Sequence, residues 1–226
     1  MKKVAFVINP VGIRHLKALE RRCAEAAASH GWEPELMGTE AGESQGELVS
    51  HLHRYSSGSG DRLVFAIGGD GTVRTCAHAL AYSGAALAIV PRGTANLFAR
   101  AVGVPADLGA ALSVGFGVQE RTVDLAACEE SAFAAMAGIG LDAAVVRSTP
   151  RLLKAHLGWV GYAAGAFAHL GSRPHAFTVR LDGAAPLERR AHSVVVGNVG
   201  ILPGGFSVLP DASVEDGWLD VGVLAP

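Results

Sequence analysis

The sequence predicts an α/β protein in two parts: a parallel sheet flanked by helices over residues 1–120, then a β-rich unit over 121–226. Three observations lead there. Short continuous apolar runs alternate with amphipathic segments through the first half, the pattern of strands buried on both faces and joined by helices. Those runs end directly in turn-formers, at Asn9-Pro10, at Gly68-Gly69-Asp70-Gly71-Thr72 and at Gly93-Thr94. After Val118 the texture changes to short strand-like runs.

The elements follow in order. Val4-Ala5-Phe6-Val7-Ile8 reads as a first buried strand, ended by Asn9-Pro10-Val11-Gly12. Over 13–30, Leu16, Leu19 and Cys23 recur at helical spacing among charges, and Gly31 supplies the stop. A strand over 33–38, a helix over 43–55 and the Ser/Gly loop 56–60 come next. The run Leu63-Val64-Phe65-Ala66-Ile67 is the central strand, followed by a helix over 73–82 and an apolar strand over 85–90. Beyond residue 121, strands are expected over 121–127, 132–136, 177–181 and 192–197, mainly antiparallel. The apolar stretch 156–170 reads as a buried helix of the second domain, with a surface contacting acyl chains as the alternative.

Composition narrows the function. Half of the 226 residues are hydrophobic and 18% are charged, enough for a substantial core and too apolar for disorder. Net charge is −2 and no basic run stands out, which argues against nucleic-acid binding. Cys23, Cys76 and Cys128 lie far apart, with no metal-type pairing, and are expected as free buried thiols in a reducing compartment. The apolar run after Met1-Lys2-Lys3 stops at Asn9-Pro10, too short for a signal core, and no run reaches the length of a membrane span. The expected location is the cytoplasm, with peripheral contact at the inner membrane face.

Gly68, Gly69 and Gly71 lack Cβ atoms and so permit backbone N–H groups to approach a bulky anion. A helix opening at Thr72 would add its positive dipole end where phosphate would sit. Asp70 would either hold Mg²⁺ near the phosphates or accept a proton from an attacking hydroxyl. A plain strand-to-helix turn would look the same in isolation, and the spacing is neither Gly-x-Gly-x-x-Gly nor a P-loop. What lifts it is that sites in parallel sheets lie beyond the carboxyl ends of strands, where all three turn motifs fall.

The ordered set of motifs resembles the diacylglycerol kinase catalytic-domain family, which includes bacterial lipid kinases and sphingosine kinases. It runs through Asn9-Pro10 with Gly12, Thr39-Glu40, Gly68-Gly69-Asp70-Gly71-Thr72 and Pro91-Arg92-Gly93-Thr94-Ala95-Asn96-Leu97-Phe98-Ala99-Arg100. It continues through Val123-Asp124-Leu125, Ala137-Gly138-Ile139-Gly140-Leu141-Asp142, Gly161-Tyr162 and Gly204-Gly205. It closes with Pro210-Asp211-Ala212-Ser213 and Asp216-Gly217-Trp218-Leu219-Asp220-Val221. The resemblance covers the whole chain. It implies a fold like that of NAD kinases and diacylglycerol kinases, with ATP and a lipid meeting in a cleft between a nucleotide domain and a β-rich domain. ATP would then contact Asn9, Pro10, Val11, Gly12, Ile13 and Thr39, the segment Gly68, Gly69, Asp70, Gly71, Thr72, Val73, Arg74 and Thr75, and Gly93, Thr94 and Asn96. A Mg²⁺ of structural character would sit on Asp216 with the carbonyls of Ser213 and Trp218.

Two departures matter. Many members have Asn-Asp where this chain has Asn96-Leu97. The chain also stops at Leu224-Ala225-Pro226, where members continue through the rest of the β-rich domain to an Asp-Gly-Glu segment that supplies the proposed base. The second domain is therefore expected to be short of its C-terminal part, with a free sheet edge that invites a homodimer. Asp70 would serve as the base, as in sphingosine kinase relatives. Otherwise the chain would be a module that holds nucleotide or lipid without turnover. An NAD kinase is a further reading, against which Gly93-Thr94-Ala95-Asn96 and Asp216-Gly217 favour the lipid branch. His51 and His53 read as helix surface, not a metal pair. Asp124 and Asp142 read as turn hydrogen-bonders before ligands, and Arg14, Arg74, Arg92 and Arg100 as surface.

Overall fold

Strands that are apolar on both faces need cover on both, and the first half of the chain supplies it with helices. The computed structural model describes residues 2–38, 45–128, 131–140, 173–202 and 204–225. It divides into two compact units, Met1–Ala134 and Ala135–Pro226.

In the first unit, β1 (Lys3–Ile8), α1 (Leu16–Ser29), β2 (Glu33–Gly38), α2 (Gln45–Ser56), β3 (Arg62–Gly68), α3 (Asp70–Leu80) and β4 (Ala86–Pro91) alternate along the chain. The strands form one parallel sheet in the order β2-β1-β3-β4. The chain steps from β1 outward to β2, then returns to the other side of β1 with β3. The order therefore reverses between β1 and β3, the place where open α/β sheets bind ligands. Register brings the strand ends level, with Ile8 opposite Ile67 and Gly68 opposite Pro91.

Both faces of this sheet are buried: Val7 and Val64 lie in a core with Leu52 of α2 and Cys76 of α3, and the other face carries an aromatic cluster. Phe6 and Phe65 are fully buried and stack at 5.1 Å between ring centroids. Phe116 closes over Phe65 at 4.9 Å. Leu19, Cys23 and Ala27 of α1 share the core on the aromatic face, so the helical spacing read from the sequence is the buried stripe.

Two helices were not expected. α4 (Leu97–Ala101) is five residues long, too short for any periodicity to show. α5 (Leu108–Gly115) packs Leu108, Ala111 and Leu112 into the core and is capped by Asp107, whose side chain accepts from Ala110 N–H at 2.9 Å. That bond, with further help from Gly109 N–H, Arg22 and Arg92, holds the Asp107 carboxyl below the usual carboxylate range. α3 begins at Asp70 rather than at 73. Gly71 made the first turn look non-helical, yet Val73 N–H already bonds to the Gly69 carbonyl at 3.1 Å. α1 begins at Leu16, later than the expected 13, and α2 is described from Gln45.

The hairpin β5 (Ala126–Cys128) and β6 (Ser131–Phe133) completes the first unit. In the second unit come β7 (Met136–Gly140), β8 (His175–Val179), β9 (Leu187–Ala191), β10 (Ser193–Gly197) and β11 (Asp220–Leu224). β11, β10 and β7 form an antiparallel sheet in that order, and β8 and β9 form a separate antiparallel hairpin. The β-rich expectation therefore holds, although β7, β9 and β11 were not anticipated and the strand expected over 121–127 forms only from Ala126. The stretch 156–170 lies outside the described residues. Among the described residues β11 and β7 are sheet edges.

The cysteines are free, with Cys23 and Cys76 buried. Cys128, expected to be buried, is exposed at the end of the three-residue strand β5. Burial pushes the Cys23 and Cys76 thiols up from 9.0 to about 12. Unfolded thiols ionise from pH 9 upward while the native ones keep their protons, so the unfolded state binds fewer protons across that window. Stability is therefore expected to be intact below about pH 9 and to fall as pH rises toward about 12, by about 1.4 kcal/mol per pH unit for each such thiol. Denaturant midpoints measured across the window should show this slope, and Cys76→Ser should shallow it. Equal slopes for the two proteins would contradict the assignment.

Candidate functional site

Three strand-end loops meet at the rim where the sheet order reverses. The first follows β1. Asn9 N–H donates to the Ile67 carbonyl at 3.0 Å, which ties the start of this loop to β3. Its side-chain Oδ1 accepts from Val11 N–H at 3.0 Å, and its Nδ2 donates to Thr72 Oγ1 at 3.4 Å. Asn9 thus shapes its own turn and reaches the first turn of α3. Pro10 accepts from Ile13 N–H at 3.1 Å, closing the turn, while Val11 and Gly12 stay exposed at its tip.

The second loop is the glycine turn after β3. Gly69 is extended (φ −92°, ψ −172°) and forms the N-cap of α3, with Asp70 in the first helical turn. The leading N–H groups of any helix lack partners within it, so this turn presents backbone donors and a positive dipole end at the rim. Gly71 is exposed, and a Cβ built on it would have no atom within 4 Å. Nothing in the chain's own packing requires glycine there. Thr72 and Val73 are buried, and Thr75 is buried with its hydroxyl donating to the Gly71 carbonyl at 3.1 Å. Arg74 is half-buried.

The third loop follows β4, and Arg92 N–H fastens it to the Gly68 carbonyl at 2.8 Å. Asn96 closes the loop on itself: its Oδ1 accepts from Gly93 N–H at 2.8 Å and its Nδ2 donates to the Gly93 carbonyl at 2.7 Å. The residue sits in the left-handed region (φ 47°), which asparagine tolerates better than most side chains. Gly93 and Gly69 touch backbone to backbone. A Cβ on Gly93 would lie 2.5 Å from Gly69 Cα and 2.8 Å from Asn96 Oδ1. Thr94 is exposed at the tip of this loop.

Asp70 joins the second and third loops. Its Oδ1 accepts from Phe98 N–H at 3.2 Å. Asn96, the N-cap of α4, makes no side-chain cap bond of its own, so Asp70 caps that helix from across the site. This partner was not legible in the sequence, because the donor is a backbone group 28 residues away.

The structure therefore brings together Asn9, Gly68, Gly69, Asp70, Gly71, Thr72, Gly93, Thr94 and Asn96, with Pro10, Val11, Gly12 and Ile13 on the adjoining turn. Thr39 and Asp142 lie outside the described residues. Ser213, Asp216 and Trp218 lie in the second unit, on an exposed loop where Trp218 N–H donates to Asp216 Oδ1 at 3.0 Å. His51 pairs with Glu35 at 3.3 Å, as a surface residue does. No group of three or more His, Cys, Asp or Glu side chains suited to a metal occurs among the described residues. No helix among them is long and apolar enough to cross a membrane.

Residues 3–128 match the family described as the diacylglycerol kinase catalytic domain, and residues 135–226 match the YegS C-terminal NAD kinase beta sandwich-like domain. An uncharacterized protein from Synechocystis sp. is 39% identical over 115 residues, which is 50% of this chain and 26% of that protein. A protein from Pseudomonas syringae pv. tomato, described as a probable lipid kinase YegS-like, is 37% identical over 199 residues. That match covers 86% of this chain and 63% of the relative, so the chain spans less than two thirds of either protein's length. The crystal structure of a diacylglycerol kinase from Bacillus anthracis str. Sterne superposes with a TM-score of 0.78 at 28% identity, over 99% of this chain and 74% of that one.

Proposed function

The chain belongs to the diacylglycerol kinase catalytic domain family, and from that premise we propose that it is a lipid kinase, moving the γ-phosphoryl group of ATP to a hydroxyl of a lipid such as diacylglycerol. The first unit holds the nucleotide and the second the lipid. The observation that carries this reading is the open space at Gly71, on a rim where backbone donors and the Thr94 tip converge. Spread-out triphosphate charge is well matched by such donors, which need no reorganisation to meet it.

In the reaction the lipid oxygen bonds to the γ-phosphorus while the bond from phosphorus to the β–γ bridging oxygen breaks and ADP leaves. The hydroxyl proton passes to Asp70. Its Oδ1 is engaged by Phe98 N–H, and its Oδ2 has no hydrogen bond among the described residues, which leaves that oxygen to receive the proton. Asp216 with the Ser213 and Trp218 carbonyls would hold Mg²⁺, a hard cation that takes few protein oxygens and completes its shell with water. Bound there, the ion would supply fixed positive charge to its loop. Peripheral contact with the inner membrane face and pairing of two copies belong to the same reading.

Transfer of label from γ-labelled ATP to an extracted lipid fraction tests it. The expected result is lipid-dependent label in the organic phase. Nucleotide binding without transfer would instead mark a binding module, and label recovered in NADP when NAD is supplied would mark the NAD kinase branch.

A further inference from the structure

We propose that the β8–β9 hairpin is a docking element for an anionic lipid surface. Its tip is a tight turn, with Asp182 (φ 48°) and Gly183 (φ 76°) both left-handed and Ala184 N–H donating to the Leu181 carbonyl at 2.8 Å. Every residue from 181 to 190 is exposed. Around the turn the chain places Leu181, Ala184, Ala185, Pro186 and Leu187, an apolar tip in which Leu181 is 40% and Leu187 43% exposed.

Cations stand directly behind that tip. Arg180 follows β8, and Arg189 and Arg190 lie on β9, with Arg173 at the base of the hairpin. Pairing sets Arg189 opposite Phe177 and Arg190 opposite Ala176, so alternation puts a guanidinium on each face. Arg189 and Arg190 donate to the backbone carbonyls of Glu188 and Pro174, bonds that leave their charge unneutralised. Among the described residues none of the four arginines has an ion-pair partner. Residues 173–191 contain only Asp182 and Glu188 as acids, within a chain whose net charge is −2.

Charge on unpaired strand edges also deters strand addition, but that role needs no apolar tip. An apolar tip with arginines behind it matches the boundary of a bilayer. The tip enters the headgroup region while the arginine stems lie along it and their heads meet lipid phosphates. Asp182 opposes this attraction and occupies a left-handed position that asparagine fills equally well. The proposal rests on the lipid kinase reading only in that such an enzyme must reach its substrate in a membrane.

Sedimentation of the full chain with vesicles of equal parts phosphatidylglycerol and phosphatidylcholine provides the test, with pure phosphatidylcholine vesicles as the control. Wild type should bind the anionic vesicles, and less well as salt rises. Arg189→Gln with Arg190→Gln should weaken binding roughly 30-fold, and Asp182→Asn should tighten it about fivefold. The gain in the second variant cannot come from misfolding. Failure of wild type to bind, equal binding to neutral vesicles, or affinities unmoved by both variants would overturn the proposal. Transfer to lipid dispersed in neutral detergent micelles reports the kinase reading separately. Transfer there with no effect of the hairpin variants on vesicles sinks the hairpin alone, and vesicle binding without any transfer sinks the kinase alone.

Discussion

Asp70→Asn is expected to lower phosphoryl transfer to lipid by roughly 10²- to 10⁴-fold, the range of a lost general base, with the melting temperature unchanged. The amide keeps an oxygen for Phe98 N–H, so α4 stays capped, but it cannot take a proton. Asp70→Ala removes both roles and should in addition destabilise the fold by about 1 kcal/mol, the typical value of a lost helix cap. Comparing the two variants in a transfer assay and a thermal melt separates chemistry from capping. Near wild-type turnover in Asp70→Asn would reduce Asp70 to a structural residue that ties two loops together.

Gly71→Ala and Gly93→Ala are expected to fail in opposite ways. A methyl on Gly71 meets nothing in the protein, and alanine is the better helix former, so stability should hold or rise by about 0.5–1 kcal/mol. The same methyl fills the space assigned to phosphate, so ATP affinity should fall by an order of magnitude or more, on the order of the 1–3 kcal/mol that overpacking costs. A methyl on Gly93 collides with Gly69 backbone, which cannot rotate away as a side chain would. That variant should lose both stability, by about 1–3 kcal/mol, and nucleotide affinity, because the second and third loops must separate. Calorimetric titration with ATP and denaturant melts read the two quantities independently. A Gly71→Ala protein that binds ATP as wild type does would leave the open space without a ligand.

The sheet was legible because β1, β3 and β4 are continuous apolar runs, and Phe6 and Phe65 are buried as such runs require. The meeting of three loops was legible because adjacent parallel strands bring their carboxyl ends to one rim, whatever their side chains. The joints between the loops were not. The approach of Gly69 to Gly93 and the bond from Phe98 N–H to Asp70 depend on strand register and loop path, which no local pattern encodes. The bond from the Thr75 hydroxyl to the Gly71 carbonyl inside α3 is another such detail, since no spacing in the sequence announces it. β9 escaped notice because Leu187-Glu188-Arg189-Arg190-Ala191 has no apolar alternation, although Asp182-Gly183 announced the turn before it.

Backbone amide resonances followed during titration with ATP and Mg²⁺ test the central claim most directly, because the claim concerns N–H groups. The expected result is that the largest shifts fall on residues 69–72 and 93–94, with smaller ones on residues 9–13. Saturable shifts elsewhere, with the amides of Gly69, Gly71 and Thr94 unmoved, would contradict a phosphate cradle at this rim.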